Sequence, residues 1–222
     1  MAGVPSFTAQ ARRPDARLDE LALAMAAEFG AVDAAAALAT LDGLGAELAE
    51  LVREAGERTP AAEARACATL LGDRLGFAGD REHYDDPDNS MLDRVLSRRR
   101  GLPILLSVVY VEVARRAGVA LEGVGLPGHF VVGHFGASPP LLLDPFSGGA
   151  PVAGDHPEHF VRPWSPHEIA MRMLNNLVGS FQRRGNIAAA IRAGELRLAL
   201  PAEEALQDAL RTELRRMQAR LN

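Results

Sequence analysis

The chain has 222 residues, 48% of them hydrophobic, enough to bury a sizeable core in one domain or one and a half. Its net charge of −5 counts against a nucleic-acid binder that relies on bulk positive charge, and all 24 of its Lys/Arg-class residues are arginine. With 24% charged residues and a large aliphatic share, a wholly disordered chain is excluded.

Leu18, Leu21, Ala22, Met25 and Phe29 recur at helical spacing and predict a first helix. Asp33 is placed to cap the next, whose Leu38, Leu41, Leu44, Leu48 and Leu51 continue the stripe. Gly43 and Gly45 each weaken its middle by roughly 1 kcal/mol relative to alanine. A third helix begins with Thr59 as cap and Pro60 at the first helical position and ends at Gly76. Cys67 falls inside it beside Leu70 and Leu71 and reads as a buried small hydrophobe. Asp85 to Asn89 is turn-rich, and Asn89 or Ser90 is positioned to cap a short helix through Leu96. Pro103 and Gly118 bracket a helix that is apolar on nearly all faces and therefore belongs at the centre. "ALEGVGL", "HFVVGHF" and "PLLLDPF" read as strands of an antiparallel sheet, with "GASPP" turning between the last two. Trp164 and Phe160 read as packing of the loop that leaves the sheet. Ser165 and Glu168 form a capping box for a helix through about Arg184, and Asn186 and Pro201 start two more. Helices, one buried helix, three strands and more helices predict an α+β fold rather than a parallel α/β one.

The single cysteine excludes an intrachain disulfide and any multi-cysteine metal site, which suggests a reducing compartment. The first twenty residues lack an apolar signal region, and Leu102 to Ala114 is short for a membrane span and contains Ser107 and Glu112. The expectation is a cytoplasmic protein without membrane or nucleic-acid partners.

His129 and Asp144 lie at the start and end of neighbouring antiparallel strands, so the chain can bring them together. A carboxylate there would fix the imidazole tautomer, which is the base-and-orienter half of a nucleophilic triad. Spacing alone leaves a second reading open, a strand histidine and an Asp-Pro turn with no shared role. The nucleophile belongs at a helix start, and the buried helix offers Leu102, Pro103 and Ile104 there, none of them nucleophilic. Ser107 is a turn further in and is expected to bond back to the preceding turn. Cys67 belongs to another helix. His156 and His159 in "HPEHF", with His134 and His167 elsewhere, lack the i, i+4 helical geometry of a zinc motif, and "DDPDN" lacks the glycine and distal glutamate of a calcium loop. No metal or cofactor is expected. "RRRG" could hold an anion near the following helix start, or its arginines could pair with "DDPD". "GVGLPG" runs from strand to strand, outside the context of a nucleotide fingerprint.

"DPDNSMLDRVLSRRRGLPILLSVVYVEVARRAGVALEGVGLPGHFVVGH" followed by "LLLDPFSGG" resembles the transglutaminase-like core of the bacterial invasion-regulator Sir B type, over roughly Asp85 to Gly149. "MLNNLVGSFQRRGNIAAAIRAGELRLALP" is similar to a tetratricopeptide helix pair, through Gly185, Asn186, Ala190, Ile191, Leu198 and Pro201. The resemblance implies a papain- or transglutaminase-like core, a buried helix packed on a small antiparallel sheet. It also implies an N-terminal helical portion over 1–84, the core over 85–164 and tetratricopeptide-like helices over 165–222, packed as one globular unit. In this family a thiol at the helix start faces a histidine and an aspartate. Those roles carry onto His129 and Asp144, while the cysteine position falls on Pro103, or on Leu102 or Ile104 after a one-residue shift. The implied function is a non-catalytic binding or regulatory protein with a protein or peptide partner. The alternative is a thiol-independent hydrolase of amide or ester bonds, with His129 as base and Asp144 orienting it. A third possibility recruits Cys67 as the thiol.

Overall fold

A computed structural model describes residues 6–154 and 157–219. The N-terminal stretch is helical: α1 (Phe7–Ala11), α2 (Leu18–Ala27), α3 (Ala34–Glu54) and α4 (Pro60–Cys67). Asp33 and Thr59 cap as expected, accepting from the amides of Ala36 and Ala62, with Pro60 at the first position of α4. The short α1, capped by Ser6, was not expected. Beyond Cys67 the helix widens into a π turn over Ala68–Arg74 before Gly76 ends it with φ of 72°. Periodicity did not announce this change of pitch.

Asn89 and Ser90 do not cap the following helix. Asp86 caps a 3-10 turn over Pro87–Ser90, and α5 (Leu92–Arg98) starts without a side-chain cap. Asn89 is buried instead, and its amide donates to Asp80 at 3.2 Å and to the His83 carbonyl at 2.8 Å. Two short segments, β1 (Ala78–Gly79) and β2 (Arg100–Gly101), pair in parallel on either side of this loop.

The central helix, α6 (Pro103–Ala117), begins at Pro103 and ends at a left-handed Gly118. Leu105, Leu106, Val109, Tyr110, Val113 and Ala114 in it are fully buried. It packs on α3 on one side and on β3 (Leu121–Leu126) and β4 (His129–His134) on the other. Its buried Glu112 is neutralised by Arg115 and Arg116, and Arg116 also reaches the buried Asp19. The sheet continues with β5 (Leu141–Asp144) and β6 (Ala150–Pro151) in the order β3-β4-β5-β6, all antiparallel. The last of these strands, two residues long, carried no sequence signal.

Trp164 follows the sheet and packs at right angles on Phe130, 5.4 Å between centroids, in space left by the missing side chain of Gly125. Then come α7 (Pro166–Arg183), α8 (Ile187–Arg197) and α9 (Glu204–Gln218). The capping box is reciprocal: Ser165 accepts from the Glu168 amide, and Glu168 accepts from the Ser165 amide. Asn186 caps α8, while α9 starts three residues after Pro201. The main buried core runs from Phe7 to Met217, a smaller cluster of Val124, Leu126 and Val131 lies apart from it, and the fold is α+β. Among the described residues no helix is long and apolar enough to cross a membrane.

Candidate functional site

The β4–β5 ladder ends at the Val132–Leu143 pair, so His129 and Asp144 stand at the open end of adjacent strands. His129 Nε2 lies 3.0 Å from Asp144 Oδ1, within hydrogen-bonding distance. The same oxygen accepts from the Phe146 amide at 2.9 Å, and the Asp144 carbonyl accepts from the Gly149 amide at 2.8 Å. The carboxylate is therefore fixed as the cap of the 3-10 turn Pro145–Ser147. With Nε2 turned to Asp144, Nδ1 is the nitrogen left for a ligand or a water. The imidazole is 34% exposed, so it is reachable.

The turn that carries Asp144 rests directly on the π segment. A Cβ on Gly72 would overlap the carbonyl of Gly148, and one on Gly149 would stand 2.9 Å from both Ala68 and the Tyr110 hydroxyl. That hydroxyl is buried and unpartnered among the described residues. Phe146 meets the His129 ring edge-on at 6.5 Å and 89°, in a place opened by Gly79. Tyr84, half-exposed, packs on Phe146 at 6.0 Å, and the Arg81 guanidinium lies 5.0 Å from the centre of the same ring. Arg172, from α7, donates to the His129 carbonyl at 2.9 Å and lies over Phe130 and Trp164 at 5.3 and 5.6 Å. Burial draws its guanidinium below the ordinary value.

None of the candidate nucleophile positions at the start of α6 supplies a thiol or hydroxyl. Leu102, Pro103 and Ile104 are all buried at the start of α6, and the Leu102 amide donates to the Asn89 carbonyl. This helix start and His129 flank one aromatic pair, since Tyr84 and Leu102 line a common cavity of about 120 Å³. Ser107, also buried, bonds back to the Pro103 carbonyl at 2.8 Å. Cys67 is wholly buried, and burial, with the nearby Glu63, pushes its thiol up to about 12, so it stays protonated at neutral pH.

The other motifs resolve structurally. Arg98 bonds Asp80 and Asp86, while Arg99 and Arg100 donate to the carbonyls of Leu75 and Gly76. His134 Nε2 lies 2.8 Å from Glu63, its Nδ1 accepting from the Gly136 amide, and His167 bonds the Ala11 carbonyl. His159 packs on Phe160; His156 lies outside the described residues. Among the described residues no three His, Cys, Asp or Glu side chains converge as a metal site would require. A groove of about 1050 Å³ runs between α4 with its π turn and β5–β6, but His129 does not line it.

Arg81, Tyr84 and Arg172 were missed from the sequence. They come from a loop and a helix distant from "PGHF", and only the fold brings them there.

A buried helix against an antiparallel sheet, with a histidine and an acid at the sheet's end, is the arrangement of a transglutaminase-like protein. The chain belongs to the transglutaminase-like superfamily, whose sequence model matches residues 35–175. It is 36% identical over 158 residues to a UPF0162 protein of Xylella fastidiosa, covering 62% of this chain and 56% of that one. A UPF0162 protein of Vibrio cholerae is 35% identical over 108 residues, covering 46% and 40%. F-box only protein 21 of Mus musculus is 29% identical over 170 residues, covering 66% of this chain and 27% of that protein. The chain thus spans about half the length of the UPF0162 relatives it matches. No solved structure matches it.

Proposed function

We propose that this chain is a non-catalytic binding or regulatory protein of the invasion-regulator Sir B type, using a transglutaminase-like cleft to hold a peptide segment of a partner in the cytoplasm. The observation that carries this reading is the start of α6, where Leu102, Pro103 and Ile104 offer no nucleophile for the paired His129 and Asp144 to activate. Ser107 is spent on the Pro103 carbonyl and Cys67 is buried and protonated, so neither replaces the missing group. The cleft retains features that suit binding: an exposed tyrosine, a reachable imidazole and two arginines on aromatic faces. In this reading residues 1–84, 85–164 and 165–222 form the helical portion, the core and a tetratricopeptide-like tail. The packing of α7 on α8 across the turn at Gly185 and Asn186 supports the last assignment.

The exposed His129–Asp144 pair favours one alternative, in which His129 Nδ1 activates a water for amide or ester hydrolysis. A panel of p-nitrophenyl esters and peptide amides separates the two. The binding reading expects rates equal in wild type and His129→Ala. Turnover lost in His129→Ala yet insensitive to iodoacetamide would establish the hydrolase instead.

A further inference from the structure

Two arginines stand near His129 without a carboxylate partner: Arg81 over the Phe146 ring that meets the imidazole, and Arg172 on the His129 carbonyl. Among the described residues neither Arg81 nor Arg172 has a carboxylate within ion-pair distance, a state shared by arginines elsewhere such as Arg65 and Arg74, whereas Arg98 and Arg183 on neighbouring segments are paired. Two acids of this region have other partners: Asp144 pairs with His129, and Asp85 with Arg183. Phe146 and His129 join the two arginines, since Arg81 lies over the Phe146 ring, that ring meets the His129 imidazole edge-on, and Arg172 donates to the His129 carbonyl. An unneutralised, partly desolvated arginine beside aromatic walls is the chemistry of carboxylate recognition.

We propose that this cleft takes a peptide carboxylate, either a free C-terminus or an acidic side chain, held by Arg81 and Arg172 with the adjoining residue on Phe146 and Tyr84. The proposal deepens the binding reading above and rests on it for the peptide nature of the ligand. Arg172 spends one N–H on the His129 carbonyl and keeps others for the ligand. A phosphate dianion would bring a second negative charge towards Asp144, so the monoanionic carboxylate is favoured.

The test uses the full chain and three N-acetylated tetrapeptides: Ala-Phe-Ala-Leu with a free C-terminus, the same peptide amidated, and amidated Ala-Phe-Ala-Glu. Binding is read from amide ¹H–¹⁵N shifts of Phe130 and Phe146. One or both carboxylate probes should give saturable shifts that the neutral amide does not, and which of them does so identifies the source of the carboxylate. Arg81→Gln should weaken that probe about tenfold, the scale of one lost charge-assisted contact, without lowering the melting temperature. Arg172→Gln should do the same. Because Arg172 also packs on Phe130 and Trp164, the exposed Arg81 carries the test if Arg172→Gln does not fold. Equal shifts with acid and amide probes, wild-type affinity in Arg81→Gln, or tighter binding of inorganic phosphate would overturn the proposal. Mass spectrometry of the same samples keeps the two conclusions apart. Peptide cleavage with an intact carboxylate preference removes the non-catalytic reading and leaves the anion site, while loss of the preference without cleavage does the reverse.

Discussion

Gly43→Ala and Gly45→Ala should move stability in opposite directions, although the two glycines are neighbours on α3. Gly43 is exposed and a Cβ there meets nothing within 4 Å, so alanine adds only helix propensity, about 1 kcal/mol. Gly45 is buried where α3 crosses α6. A Cβ on it would overlap the Cβ of Arg116 and stand 3.2 Å from its Cδ. Arg116 has no room to yield, because its guanidinium is held at 2.6 Å by each of Asp19, Asp42 and Glu112. Overpacking of this kind costs about 1–3 kcal/mol, and loosening an ion cluster around two buried acids adds to it. After the propensity gain, the net loss is about 1–2 kcal/mol. For a chain of this size each kcal/mol is worth about 2–4 °C. Circular dichroism melts should place Gly43→Ala about 2–4 °C above wild type and Gly45→Ala about 2–8 °C below it. A parallel rise in both variants would refute the close α3–α6 approach and the reasoning built on it.

Cys67 should resist iodoacetamide at pH 8 in the native protein and react at once in urea, because a thiol pushed up to about 12 has almost no thiolate at that pH; mass spectrometry before and after unfolding reads the difference. Glu63→Ala leaves the buried His134 imidazole without its partner, and urea titration should show a loss of about 3 kcal/mol, far more than for an exposed acid. Glu168 is held down to about 2, chiefly by its bond to Arg162. Its folded value is depressed, so the stability it contributes is present above the unfolded value and lost as pH falls from about 4.5 towards 2. Wild type should therefore lose more stability across that window than Glu168→Gln, whose acid limb should be flatter in melts followed by circular dichroism.

Local chemistry made much of the fold legible. Asp33, Thr59, Ser165 and Asn186 cap helices because each needs only its own next turn, and Pro103 and Gly118 mark the ends of α6 for the same reason. Asn89 misled because its amide is drawn by Asp80 and His83 into a buried network, and a tertiary partner overrides a capping preference. The pairing of His129 with Asp144 could be anticipated because adjacent antiparallel strands return the chain on itself. Arg172 could not: it reaches His129 from α7, 43 residues away, through a backbone carbonyl that leaves no trace in residue type. Nor did sequence periodicity reveal the π turn, whose apolar residues Leu70 and Leu71 fit an ordinary helix equally well.

That π turn makes the position of an acid depend on helical pitch. A π turn holds one more residue than an α turn, so winding the same residues 68–74 at ordinary pitch would swing every following side chain by about 100°. Gly72 would leave the carbonyl of Gly148, a side chain would take its place, and the turn that begins at Asp144 would be lifted from its seat. The direction in which Asp144 faces is thus inherited from the pitch of a helix some seventy residues earlier, and a change that returned this helix to ordinary pitch would part Asp144 from His129 without touching either residue.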